Sequence, residues 1–361
     1  MEFPFDIYIV AERLGMVPKR VHAMSSDYDC PFCGGKSKLN LNIERGTFRC
    51  NKCSRNGGML DLYCSVTGLH DRKEAYRILS DCFNDPYTQR IRKDRQEAAD
   101  SIQEVEKATV AEIDRCYKSM LGFLTLNPKH RQNLLNRGLT DKEIDSIGYK
   151  SVPLDLSYKM PNLLREYGIK VIGIPGFYTD KNGSPRLNIH ECMAGFFVPV
   201  RNSIGQIRAM QIRLDTPLEG KRKYMWLSSS ERNGGCSSNS PIDVCGDVRN
   251  STAIYITEGP LKGQIAHALS GKPFLSIAGV SQIKELERAF KCIQKNGKCK
   301  IIVDTLDMDD DTNEHVRQAH IELAWLAEKY GFTPKRFLWD RKYKGIDDYL
   351  LACKKRKENK S

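Results

Sequence analysis

The sequence predicts an α/β protein, α+β overall, in which an N-terminal zinc ribbon precedes a mixed α/β core containing a parallel sheet flanked by helices. Three observations predict this fold. Two CxxC pairs lie near the N-terminus, a highly charged stretch with few large apolar residues follows them, and strand-like and helix-like patterns alternate after residue 250. Such an alternation is typical of a parallel sheet with helices on its faces.

The two cysteine pairs predict one zinc site with the ligands Cys30, Cys33, Cys50 and Cys53. Each pair fits a tight turn, and two such turns joined by a hairpin place four thiolates around one tetrahedral ion. A polar–apolar alternation over residues 38–44 predicts the first strand of that hairpin. The alternative interpretation, four unrelated thiols, does not explain why two matched pairs occur at this spacing.

Composition restricts the class of protein further. The 361 residues include 57 Lys and Arg against 45 Asp and Glu, a formal net charge of +12, which favours a polyanionic partner over a merely basic surface. Thirteen cysteines without a pairing framework are typical of a reducing cytosol. No segment approaches the ~20 apolar residues of a membrane span, and a signal peptide is not apparent. We therefore expect a soluble, cytoplasmic protein without membrane association.

The chain divides by composition and pattern into five segments. We expect a ribbon domain at residues 1–83, a charged linker at 84–110, the first half of the core at 111–250, a catalytic domain at 251–350 and a basic tail at 351–361.

Helices and strands can be assigned in order from periodicity and turn residues. Helices are expected around residues 7–14, 59–65 and 73–83 in the ribbon domain, and helical spacing resumes at Ile113. Thr140 and Glu143 resemble a capping box that opens a further helix. Two β-rich runs at 195–201 and 206–213 then predict a hairpin. Beyond residue 250 we expect strands at 253–257, 273–278 and 300–306 and helices at 261–269, 283–294 and 314–330.

Acidic residues follow two of the predicted parallel strands. Glu258 ends the first, Asp307 and Asp309 follow another, and Asp347 comes later, whereas Asp304 lies inside an apolar run. The carboxyl ends of parallel strands meet at one edge of the sheet. Converging carboxylates repel one another unless cations neutralise them, which predicts bound magnesium or manganese. An Asp-rich loop alone favours solvated surface, but its combination with Glu258 favours a catalytic site.

These motifs resemble the TOPRIM domain, which DnaG-type primases, topoisomerases and some nucleases share. The similarity lies in Glu258-Gly259, Asp307-Met308-Asp309 and residues 345–350. The ribbon is similar to the zinc domain of DnaG-type primases, and residues 134–139, 195–201 and Lys223-Tyr224 with Ser228 are similar to the primase core. The motifs at 257–262 and Thr312-Asn313 are most similar to stand-alone primase-like proteins of phages and mobile elements.

The sequence departs from the family pattern in three places. Cys33 stands where cellular primases usually carry a histidine, and Gly345 replaces the first Asp of a late Asp-Pro-Asp-Glu motif. The chain ends at Ser361, before the helicase-binding domain of cellular primases, so the resemblance implies a separate replicative helicase as partner.

The resemblance implies a DNA primase, a DNA-directed RNA polymerase that joins ribonucleoside triphosphates into short primers on single-stranded DNA. It implies that magnesium or manganese is bound by Glu258, Asp307, Asp309 and Asp347, and that zinc is structural. The cations that it assigns to nucleotide or template are Arg137, Arg201, Arg213, Lys223 and Lys262. The ribbon would hold template through Lys36, Lys38, Arg45, Phe48 and Arg49. The alternatives are a TOPRIM nuclease and a non-catalytic single-stranded-DNA-binding replication protein of a mobile element.

Overall fold

The computed structural model describes residues 5–21, 25–83, 105–218, 222–230, 232–308 and 314–359. The chain divides into two compact units, one formed by residues 1–104 with 231–233 and the other by residues 105–230 with 234–361. Most of the predicted linker, at residues 84–104, lies outside the described residues. The predicted mixed α/β fold with an N-terminal four-cysteine cluster is confirmed.

The first unit contains a five-stranded antiparallel sheet in sequence order. Its strands are β1 Pro18–Val21, β2 Ser25–Tyr28, β3 Leu39–Asn42, β4 Thr47–Cys50 and β5 Asn56–Gly58. The predicted hairpin is β3–β4, in which Leu39 pairs with Cys50. The helices Ile7–Arg13, Met59–Thr67 and Arg72–Phe83 complete the unit, close to the predicted ranges.

The first part of the second unit is built on an antiparallel sheet with the strand order β11-β10-β9-β6. The strands here are β6 Lys150–Ser151, β7 Phe177–Thr179, β8 Pro185–Leu187, β9 Gly195–Arg201, β10 Ile207–Leu218 and β11 Arg222–Trp226. The helices are Val110–Gly122, Pro128–Asn136, Asp141–Ile147 and Lys159–Glu166. The predicted capping box is present, since the Glu143 backbone N–H donates to the Thr140 hydroxyl and the Thr140 N–H donates to the Glu143 carboxylate.

A second sheet follows, with the order β12-β14-β13-β15-β16. Its strands are β12 Asp243–Cys245, β13 Ala253–Glu258, β14 Phe274–Ile277, β15 Ile301–Asp304 and β16 Thr333–Arg336. The last four are parallel, which confirms the prediction, and β12 is antiparallel to β14. The helices of this part are Pro260–Ser270, Leu286–Asn296, Glu314–Lys329 and Ile346–Glu358, and a 3-10 segment spans Val280–Glu285.

Several boundaries differ from the sequence-based expectation. The second strand of the central hairpin continues to Leu218, and the helix expected at 283–294 begins at Leu286 after the 3-10 segment. Two further differences concern the predicted catalytic segment and the tail that follows it. Strand β15 ends at Asp304 rather than at residue 306, because the Leu306 N–H donates to the Asp304 carboxylate in a local turn instead of to a neighbouring strand. The basic segment from residue 351, which we expected to be a frayed tail, continues the helix Ile346–Glu358. Its lysines and arginine near the helix C-terminus interact favourably with the helix dipole.

One buried apolar cluster connects the two parts of the second unit. Leu261 and Ile265 on the helix Pro260–Ser270 lie in one buried cluster with Leu134, Phe196 and Val198 from the first part. This cluster fixes the helix that follows β13 against the antiparallel sheet. In the described residues, no helix combines the length and the apolar character needed to cross a bilayer.

Candidate zinc centre and candidate active site

The four predicted zinc ligands come together in the first unit. The Sγ atoms of Cys30, Cys33, Cys50 and Cys53 all lie within 4.8 Å of one another, a spacing compatible with a tetrahedral S4 site. Cys30 Sγ is 3.9 Å from Cys53 Sγ, and Cys33 Sγ is 3.8 Å from Cys50 Sγ. Among the described residues, these four cysteines form the one cluster of three or more His, Cys, Asp or Glu side chains whose ligand atoms lie close enough together to hold an ion.

The two pairs have the same turn geometry. The residue after each pair, Gly34 or Ser54, has a left-handed backbone with φ of 64° and 59° respectively. Its N–H donates to the carbonyl of the first cysteine, Cys30 or Cys50, at 3.0 Å in both turns. The turns thus hold each cysteine pair in place by backbone hydrogen bonds, and glycine fits the left-handed position of the first turn without strain.

The thiols have perturbed acidities. Burial raises the pKa of Cys30 to about 12, whereas the Arg55 backbone N–H lowers the pKa of Cys53 to about 7. A thiol as buried as Cys30 becomes a thiolate at neutral pH only beside a cation that compensates the lost solvation. The donor set therefore fits a structural zinc ion.

The carboxylates predicted for catalysis lie at the carboxyl edge of the parallel sheet. Ile256 pairs with Asp304 between β13 and β15, so Glu258 and Asp307 leave the sheet at the same end. Asp347 lies in the first turn of the helix Ile346–Glu358. Asp307 and Asp347 are buried and Glu258 is half-buried. Asp309 lies outside the described residues.

Lys262 lies among these carboxylates. Its ammonium, in the first turn of the helix Pro260–Ser270, donates to Asp307 Oδ1. Burial by itself lowers the pKa of Lys262, but the charges of Asp307, Glu258 and Asp347 raise it overall, so the side chain carries a positive charge. The sequence assigned Lys262 to nucleotide or template, and the structure places it against the acidic residues.

Arg137 neutralises the third carboxylate. Its Nη2 atom is 2.6 Å from Asp347 Oδ2, although the two residues are 210 positions apart in the chain. Tyr224 also acts electrostatically on Arg137, and the Arg213 guanidinium lies 5.3 Å from the centre of the Tyr224 ring. Asp347 Oδ1 is buried and has no hydrogen-bond partner among the described residues. An orphaned buried carboxylate oxygen is the kind of atom that a bound cation would satisfy.

The remaining predicted cations have other positions. Arg201 donates to the Ile147 carbonyl at 2.7 Å, which stabilises the end of the helix Asp141–Ile147. Lys223 is exposed on β11 and, because side chains alternate along a strand, points to the opposite face from Tyr224. In the ribbon, Phe48 is buried against Phe32 with 5.8 Å between ring centres, so the expectation that it stacks on bases is wrong.

Sequence reasoning missed a hydrogen-bonded network in which His320 and Asp304 are buried and Arg336 is exposed. His320 Nδ1 lies 2.5 Å from Asp304 Oδ2, and His320 Nε2 lies 3.1 Å from Arg336 Nη2. It also missed Lys344, whose Nζ is 3.8 Å from Asp307 Oδ2. Only the position of Asp304 within an apolar run could have indicated that its carboxylate has an internal partner.

Replacing Arg137 with alanine should destabilise the second unit by about 3–5 kcal/mol, because the Asp347 carboxylate would stay buried without its counter-charge. Thermal or urea unfolding measures the change. Arg131→Ala is the matched control, since Arg131 bridges Asp141 and Asp145 at the surface and its loss should cost far less. Equal destabilisation by the two variants would contradict this interpretation.

Comparisons with known proteins bear on the whole chain. Residues 247–357 match a family described as a domain of unknown function, DUF3854. No curated protein matches the sequence. The structure is similar to the zinc-binding and RNA polymerase domains of the Aquifex aeolicus primase, with a TM-score of 0.52 and 13% identity over 100% of this chain and 85% of that one.

A second similarity covers the core. The RNA polymerase domain of Mycobacterium tuberculosis primase DnaG, solved in complex with a double-stranded DNA oligomer that has a 6-nucleotide overhang, aligns with 69% of this chain and 80% of its own. The TM-score is 0.51 and the identity is 13%. The chain therefore has the fold of the zinc-binding and polymerase domains of DnaG-type primases, and the resemblance inferred from the motifs is confirmed at the level of the fold.

Proposed function

We propose that this protein is a DNA primase, a DNA-directed RNA polymerase that makes short RNA primers on single-stranded DNA. One observation carries the proposal. At the carboxyl edge of a parallel sheet, Asp307 bonds the Lys262 ammonium, and the negative charges of Glu258 and Asp347 act on the same ammonium. Catalytic groups gather at this edge in open α/β sheets, and the fold around it is similar to that of primase polymerase domains.

The proposed reaction is nucleotidyl transfer. The 3′-hydroxyl of one nucleotide attacks the α-phosphate of the next ribonucleoside triphosphate, forming a P–O bond, and pyrophosphate leaves. Magnesium or manganese held by Glu258, Asp307, Asp309 and Asp347 would supply positive charge for the reacting phosphate oxygens. The orphaned Asp347 Oδ1 supports the fit of a cation there.

The protein's own cations would orient substrate and template. Arg137 bonds Asp347 and Arg213 lies over the Tyr224 ring, where the two guanidinium groups would bind a triphosphate or the primer backbone. Lys223 and Arg201 would contact template phosphates more peripherally. The exposed Lys36, Arg45 and Arg49, together with Lys38, would hold single-stranded DNA on the ribbon through charge.

The domain assignment belongs to the same proposal. Residues 251–350 would act as a TOPRIM catalytic domain, residues 111–250 as the first half of the core, and residues 1–83 as the DNA-binding ribbon. The match to DUF3854 at residues 247–357 supports a unit with nearly these limits. A replicative helicase is the expected separate partner, and a phage or mobile element is the expected origin. The cytoplasm is the expected site of action.

One assay separates this function from its alternatives. The zinc-loaded protein is incubated with single-stranded DNA, magnesium and labelled ribonucleotides, with chelator-treated and Asp307→Ala samples as controls. New short RNA that both controls lack supports a primase. Shortened DNA would indicate a nuclease, and the absence of both products would leave a DNA-binding protein.

Replacing Lys223 with alanine should lower the salt dependence of single-stranded DNA binding. Each lost phosphate contact removes about 0.7 from the slope of log affinity against log salt for a single strand. Arg213→Ala should in addition raise the KM for nucleotides, because the guanidinium lies over Tyr224 near the carboxylates. Anisotropy titrations at four salt concentrations give the slope. Lys181→Ala, an exposed lysine between β7 and β8, is the control. If the slopes of Lys223→Ala and Lys181→Ala are equal, Lys223 is not a phosphate contact.

A further inference from the structure

Lys262 is held by the acidic site more firmly than a surface lysine would be. Its side chain is only 18% exposed, its ammonium is bonded to Asp307, and Glu258 and Asp347 act on it electrostatically. Lys262 lies in the first turn of the helix Pro260–Ser270, which follows the strand that ends at Glu258. A lysine in this position places a fixed positive charge among carboxylates that would otherwise need ions to neutralise them.

Gly345 explains how the lysine stem is accommodated. Its φ of −106° suits any residue, so the backbone does not require glycine. The space beside it is tight, because a Cβ at this position would lie 2.5 Å from Asp347 Oδ1 and 3.0 Å from Lys262 Cε. A side chain at position 345, where the late motif of the related primases has its first Asp, would therefore require the Asp347 carboxylate to turn away and the Lys262 stem to shift slightly.

The charges of the described site are nearly balanced already. The described charged groups are four carboxylates, those of Glu258, Asp307, Asp347 and Asp348, and three cations, Lys262, Arg137 and Lys344. Asp307 Oδ1 is bonded to the ammonium and Asp347 Oδ2 to the guanidinium, which leaves Asp347 Oδ1 without a partner among the described residues. One divalent ion can bind at Asp347 Oδ1 while both resident bonds persist, whereas a second ion that used Asp307 Oδ1 or Asp347 Oδ2 would have to displace Lys262 or Arg137.

We propose that Lys262 is a resident cation that takes the place of one of two divalent metal ions, so that the acidic site binds a single divalent ion. This inference rests on the proposed function, since it concerns the same site. Lys262 and Gly345 act together, because the Asp347 carboxylate and the lysine stem occupy the space beside position 345. Lys262 is then a positioning residue that holds Asp307 and supplies fixed charge.

Manganese binding to the full-length, zinc-loaded chain tests the inference without the reaction. Free Mn²⁺ is measured by electron paramagnetic resonance during a titration. The wild-type protein should bind one Mn²⁺ that Asp307→Asn loses. Lys262→Met keeps an unbranched chain but removes the charge. It should bind a second Mn²⁺, or bind the first at least about tenfold more tightly, because a nearby like charge has been removed.

Lys344→Gln is the matched control. Lys344 also lies near Asp307, at 3.8 Å, but 67% of its side chain is exposed and its charge is screened by solvent. Its removal should change manganese affinity by less than about threefold. Zinc content and the melting temperature establish that each variant is folded, and Lys262→Gln serves if the methionine variant is not.

The wild-type stoichiometry decides the matter even if both Lys262 variants unfold. Two Asp307-dependent Mn²⁺ ions per wild-type chain, or none, would overturn the inference, as would unchanged binding in a folded Lys262 variant. Failure of the proposed function gives a different result, since a protein that binds one Mn²⁺ in a Lys262-dependent way but makes no RNA would refute only the primase assignment.

Discussion

Replacing Asp307 with alanine should abolish primer synthesis, lowering the rate on the order of a thousandfold, while single-stranded DNA binding changes little. The carboxylate lies in the charged site, where it would act on the chemical step. Affinity for the template depends mainly on lysines and arginines elsewhere. Product formation on a defined template and anisotropy with labelled DNA measure the two effects separately.

Asp304→Ala is the informative control for this experiment. Its carboxylate accepts the Leu306 N–H at 3.0 Å and pairs with His320 at 2.5 Å, so its loss should lower the melting temperature. Asp307→Asn provides a second variant that preserves shape at the catalytic position. If Asp304→Ala were inactive with a normal melting temperature and Asp307→Ala were active, the acidic motif would be placed three residues too late.

Replacing Cys50 with serine should remove zinc and unfold the first unit. Structural zinc sites contribute about 10–16 kcal/mol of apparent binding free energy, far more than a small sheet gains from its own core. Elemental analysis should give one zinc per wild-type chain and almost none for the variant. Limited proteolysis should then cleave residues 25–83 while the second unit persists.

Cys64→Ser is the matched control for the zinc prediction. Cys64 lies in the helix Met59–Thr67 of the same unit, half-buried and outside the four-cysteine cluster. This variant should keep its zinc and its folded ribbon. Wild-type zinc content in Cys50→Ser, or absence of zinc from the wild-type protein, would refute the assignment of the ligands.

The sequence alone determined the features that depend on local spacing. The four cysteines occur in two matched pairs, and their turns close through neighbouring backbone groups, so the S4 cluster could be predicted without knowing the fold. The alternation of strand and helix predicted the parallel strands. Glu258 and Asp307 could be placed at one sheet edge because each comes after a strand in the chain.

Only the tertiary structure decided which charges face one another. The partners of Asp347 and Asp307, Arg137 and Lys262, lie 210 and 45 positions away in the chain. No periodicity reports such pairings, because they depend on how distant elements pack. The same holds for Phe48, whose ring is buried rather than free to stack, and for Gly345, where a side chain would crowd Asp347 and Lys262. Local spacing specifies the helices, the strands and the turns that hold the cysteine pairs, whereas packing between helices and strands specifies the balance of charge in the site.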